Sequence, residues 1–168
     1  MKARILLGLT LAGAFAARAD VIDLTGGGRR GDAQPGGLSL RAEFGNSFAP
    51  YGMVGAALSY LTSGGTAIEA GAGAGFPGVQ LGVGLKQLFG SRGSNIAIEL
   101  TFAGNTRQQK AGEQVNVADT SRYVWTSLGA GFEQRTGRFT AGVIAALAFT
   151  PADSGTHFGI HGGIGFMF

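Results

Sequence analysis

Eight stretches of this chain alternate between apolar residues and small or polar ones, and none of the apolar faces carries a charge. Period-two alternation marks β-strands, whose successive side chains point to opposite faces. The stretches are 37–45, 51–61, 66–76, 78–88, 95–104, 122–132, 138–149 and 157–168. The first presents Leu38, Leu40, Ala42 and Phe44, the second Gly52, Val54, Ala56, Leu58 and Tyr60, and the third Ile68, Ala70, Ala72, Ala74 and Phe76. The fourth gives Val79, Leu81, Val83 and Leu85, the fifth Ile96, Ile98, Leu100 and Phe102, and the sixth Val124, Thr126, Leu128, Ala130 and Phe132. The seventh gives Phe139, Ala141, Val143, Ala145, Leu147 and Phe149, and the eighth Phe158, Ile160, Gly162, Ile164, Phe166 and Phe168. The opposite faces hold Arg41, Glu43, Glu69, Lys86, Glu99 and His161, with many glycines between them. The seventh stretch is the exception, since its second face (Ile144, Ala146, Ala148) is apolar as well.

Such sheets close in one of two ways. A soluble barrel turns its apolar face inward and needs far more outward charge than five in-strand ionised residues supply. A membrane barrel is inverted, with lipid outside and a polar lumen, and a lipid-facing Lys or Arg near the midplane costs about 2–4 kcal/mol. Charged residues are only 14% of the chain, and each stretch is close to the roughly 9–11 residues a tilted membrane strand requires. The expected fold is therefore all-β, an eight-stranded antiparallel transmembrane β-barrel. Thirty-two glycines let a narrow cylinder close around a few large inward side chains.

The front of the chain has the parts of a cleavable signal peptide in order: Lys2 and Arg4, an uncharged apolar run from Ile5 to Ala17, and Ala17-Arg18-Ala19 before Asp20. The run is too short to cross a bilayer, which takes roughly 20 residues. Residues 1–19 are read as the leader, 20–36 as a flexible periplasmic arm and 37–168 as the barrel, with Val21-Ile-Asp-Leu24 a possible extra strand. The net charge of +3 comes from the leader; ten basic and ten acidic residues remain after it, so no nucleic-acid partner is implied. There are no cysteines, hence no disulfides.

With both ends in the periplasm, the polar connection at about 105–121 (Arg107, Lys110, Glu113, Asp119) and the segment 151–155 lie outside, while 62–65 and 134–137 are short inner turns. Aromatic residues cluster toward strand ends as an interfacial girdle does: Phe44, Tyr51, Tyr60, Phe76, Phe89, Phe102, Tyr123, Trp125, Phe132, Phe139, Phe149, Phe158 and Phe166. A chain that stops on an alternating strand ending in Phe resembles the small outer-membrane barrels typified by the OmpA membrane domain and OmpX. The resemblance implies residence in the outer membrane and insertion by the barrel assembly machinery. That machinery would read the last strand through Phe158, Ile160, Ile164, Phe166 and Phe168.

Candidate chemistry is sparse. The turn at 77–78 sets positions 69 and 86 nearly opposite, and the turn near 92 does the same for 86 and 99, so Lys86 is expected between Glu69 and Glu99 inside the lumen. Arg41, Glu43 and His161 are expected to form a second cluster where the barrel closes. The reading is a monomer with a charge-filled lumen and a structural or surface-interaction role, its partners being outer-membrane lipids and the assembly machinery. The alternatives are a narrow porin-like channel for small solutes and, behind it, a lipid-modifying enzyme using His157 with Asp153 and Ser154. No Gly-x-Ser-x-Gly element occurs. Gly73-Ala-Gly-Phe-Pro-Gly78 leads into a strand rather than a helix, and so lacks the helix N-terminus a phosphate site needs. Arg30-Gly-Asp32 is a chance match in the arm. No catalytic residue, cofactor or metal is assigned.

Overall fold

A computed structural model describes residues 36–75, 78–90, 93–106, 124–150 and 155–168. Eight antiparallel strands close into one barrel, each paired with its chain neighbours and β1 with β8. They are β1 Gly37–Gly45, β2 Val54–Leu61, β3 Thr66–Gly75, β4 Gly78–Gly90, β5 Ser94–Asn105, β6 Val124–Thr136, β7 Phe139–Phe149 and β8 Thr156–Met167. Closure leaves no unpaired edge, so the backbone polar groups of every strand find partners in the wall.

The barrel is inside out. Ile68 (60% exposed), Val83 (55%), Leu128 (55%) and Ile164 (63%) point outward, while Glu69, Lys86 and Glu99 are each 2% exposed. No outward-facing residue of the described strands is charged. Outward polar residues sit at strand ends, where they pair across strands: Thr66 Oγ1 donates to Gln87 Oε1 (2.7 Å) and Ser94 Oγ to Gln134 Oε1 (2.6 Å). An apolar cylinder with polar hems matches a bilayer's hydrocarbon layer between its two interfaces.

Most strand ends fall within two residues of the sequence pattern, and two larger departures matter for the lumen. β2 begins at Val54 instead of 51. Gly52 has a φ of +90°, which stops the strand, and Tyr51 turns inside to 1% exposure. β6 continues through Glu-Gln-Arg-Thr to Thr136, four residues past the expected end, because its pairing with β7 runs to a two-residue turn, Gly137-Arg138, with φ +60° at Gly137. Tyr51 and Trp125 are consequently not girdle residues: Trp125 is fully buried inside the barrel. Trp125 has the parity of the lumen face, one residue out of step with Val124.

The leader, the arm up to residue 35 with Val21–Leu24, Phe76, Tyr123 and most of the 105–121 connection lie outside the described residues. The pairing of Gly75 with Gly78 leaves only residues 76 and 77 between β3 and β4.

Candidate functional site

The interior is filled in three layers. On the side of the short turns, Leu61, Ala67, Leu88, Ala97 and Ile144 pack into an apolar layer. It is the seventh strand's apolar inner face that contributes Ile144.

The middle layer is ionic. Lys86 and Glu99 are directly paired in the β4–β5 register. Lys86 is opposite Ala67 on β3, however, and Glu69 is opposite Gly84, because the β3–β4 turn centres on 76–77. The flexible lysine stem covers this two-residue diagonal, so that Nζ lies 2.8 Å from Glu69 Oε1 and 3.5 Å from Glu99 Oε2. Arg41 Nε donates to Glu43 Oε1 at 2.7 Å. His161 sits between two carboxylates, Nε2 3.1 Å from Glu99 Oε1 and Nδ1 3.7 Å from Glu43 Oε2. All six residues taken from the sequence thus face the same interior space.

Glu133 joins what the sequence left as two clusters. Its carboxylate accepts from Arg41 Nη1 (2.8 Å) and Arg135 (2.7 Å) and lies 3.5 Å from Lys86 Nζ. A sixth strand that ends at 132, before a turn at 134–137, leaves Glu133 on neither face. Its parity with Trp125 and Ser127 was the signal that could have found it. Thr101 and Ser127 hydrogen-bond to each other on the neighbouring wall. The space left among Arg41, Lys86, Glu133 and His161 is too small for a water-sized sphere.

The outer layer is the β1–β2 connection, residues 46–53, folded back into the barrel mouth. Phe48, Ala49, Pro50 and Tyr51 are all buried. Glycines of β2–β4 make the room: a Cβ on Gly71 would stand 2.6 Å from the Tyr51 ring, one on Gly84 3.0 Å from the Tyr51 hydroxyl, and one on Gly82 would strike the Pro50 carbonyl. Gln80 Nε2 donates to the carbonyls of Ser47 (2.9 Å) and Ala49 (3.4 Å). Tyr51 Oη donates to Glu69 Oε2 at 3.4 Å. Burial, and then the carboxylate of Glu69, hold the Tyr51 phenol above its usual pKa range. Across the mouth, Phe48 packs edge-on to Trp125 and stacks on His157 with ring centroids 4.4 Å apart.

His157 is therefore part of an aromatic packing cluster, while Asp153 and Ser154 lie outside the described residues. Among the described residues, no group of three or more His, Cys, Asp or Glu is placed to hold a metal. On β8, Phe158, Ile160 and Ile164 face outward, Phe168 just past its end is exposed, and Phe166 is half-buried between Phe139 and Phe168.

No protein-family model matches the chain, and no curated protein matches it. The crystal structure of the N-terminal β-barrel domain of Pseudomonas aeruginosa OprF is similar over 80% of this chain and 100% of that one, at 17% identity and a TM-score of 0.56. The fold is that of the small outer-membrane β-barrels. The backbone structure of the Yersinia pestis outer membrane protein Ail in phospholipid bilayer nanodiscs covers the same shares of both chains at 14% identity, with a TM-score of 0.44. Within the described strands, the charged side chains face the lumen and the outer wall is apolar, the arrangement that a bilayer around the barrel favours.

Proposed function

We propose that this protein is a monomeric, integral outer-membrane β-barrel with a structural or surface-interaction role, and that its lumen is filling rather than a passage. The observation that carries the reading is sidedness: Ile68, Val83, Leu128 and Ile164 look outward while Glu69, Lys86 and Glu99 are enclosed. Only hydrocarbon outside the cylinder makes that arrangement favourable. Eight strands leave an interior that side chains nearly fill. The apolar layer, the ionic network and residues 46–53 each occupy its cross-section, which weighs against a narrow porin-like channel. The contact surface would be the outer rim around the 105–121 connection. Membrane lipids would meet the outward row, and the barrel assembly machinery would receive β8 through Phe158, Ile160, Ile164, Phe166 and Phe168. The stacking of His157 on Phe48 gives it a packing role, and no Gly-x-Ser-x-Gly element accompanies it, so lipid modification is the weaker alternative.

Cell fractionation with gel migration tests the proposal. The protein should sediment with outer membranes and migrate differently before and after boiling. Recovery in the soluble periplasm, with no heat-dependent shift, would reject it.

A further inference from the structure

We propose that residues 46–53 form a hinged stopper that lifts as a unit from the outer mouth, opening a blind chamber above the ionic layer and not a through-pore. The inference rests on the barrel reading above. Four observations carry it.

The stopper's backbone is tied to the wall at its neck, by Gly45 N to Met53 O (3.1 Å), Asn46 N to Ile160 O (3.0 Å) and Met53 N to Ala74 O (2.8 Å). Between these ends its backbone bonds turn inward on itself, Ala49 N to Asn46 O and Gly52 N to Ala49 O. Gly52, at φ +90°, forms one side of the neck and gives it a conformation that most side chains would resist. The wall, by contrast, is laddered strand to strand around the whole barrel.

The layers beneath take no ion pair from the stopper. Lys86, Arg41 and His161 take their carboxylate partners from β1, β3, β5 and β6, and the stopper meets this network through Tyr51, by its 3.4 Å bond to Glu69 and its edge-on ring packing against His161. Lifting it leaves the apolar layer of Leu61, Leu88 and Ile144 in place, so the chamber has a floor.

The closed state also leaves polar atoms unmet. Trp125 Nε1 and Gln80 Oε1 are buried in the outer layer without a hydrogen-bond partner. Water entering an opened chamber would satisfy both, which offsets part of the cost of exposing Phe48, Pro50 and Tyr51. Burial of those side chains makes closed the resting state.

Finally, the stopper can be pinned. A Cβ built on Gly159 lies 3.7 Å from Phe48 Cβ with no closer atom than 3.5 Å, near the Cβ separation typical of a disulfide. The chain has no cysteine of its own and a single tryptophan, Trp125, which packs edge-on against Phe48 of the stopper.

The experiment uses full-length Phe48→Cys/Gly159→Cys protein folded in phospholipid vesicles, with the heat-dependent gel shift as the folding control. The disulfide should form in the folded barrel. Acrylamide should quench Trp125 several-fold more strongly after reduction than in the oxidised form, while planar-bilayer recordings stay silent in both. Gln80→Ala, which frees the Ser47 and Ala49 carbonyls, should raise quenching in a barrel of native Phe48. Equal quenching before and after reduction, or with and without Gln80, would overturn the stopper; step conductance on reduction would overturn the floor. Loss of vesicle insertion and of the gel shift would strike the barrel reading itself, a different failure from unchanged quenching.

Discussion

Lys86 holds the ionic layer together, with Glu69, Glu99 and Glu133 all within 3.5 Å of its Nζ. Removing one partner from a buried ionic network strands the rest, at a cost of about 3–5 kcal/mol. Lys86→Met should therefore lower the urea midpoint of folding in vesicles strongly, read from the folded band on unboiled gels. Adding Glu69→Gln should restore part of the loss, since one stranded carboxylate is then gone. Trp125 gives a second residue-scale outcome. A girdle tryptophan is quenched by lipids brominated near the interface; Trp125, fully buried among Phe48, Ala103 and Ala148, should not be.

At the scale of elements, glycine on β2–β4 is matched to the connection folded against it. Gly71→Val would drive a Cβ to 2.5 Å from the Ala56 carbonyl oxygen on β2 and to 2.6 Å from the Tyr51 ring. Overpacking of this kind costs about 1–3 kcal/mol, and proteolysis between 46 and 53 should become faster as the stopper is pushed outward. Gly159→Ala is the control on the facing wall. Its nearest neighbours at 3.5 Å leave room for a methyl group, and proteolysis between 46 and 53 should not become faster.

For the whole molecule, the decisive property is which solvent the outer wall meets. Ala130 is midway along β6 and exposed on the outside. In a bilayer, Ala130→Arg should cost about 2–4 kcal/mol, measured as a shift in the urea folding transition in vesicles. An unchanged transition would mean that this face meets water, where surface substitutions usually stay within about 0.5 kcal/mol.

The class of fold, the strand count and the sidedness were legible in the chain because each rests on a period-two pattern that local residues carry. A one-residue slip would have put Leu81 and Ile98 inside and Glu69 and Glu99 in lipid, so the pattern admits one arrangement. Pattern also set Arg41, Glu43, Glu69, Lys86, Glu99 and His161 on a common side. It could not say that they meet in one network, because that depends on cross-strand register and on how far β6 runs before Gly137 turns it. Glu133 falls to that boundary, and Trp125 to the clustering of aromatics at strand ends, which sets aside its own parity. The folded-back segment 46–53 had no signal at all: its burial follows from glycines on three other strands, each unremarkable alone, that face one another only once the cylinder has closed.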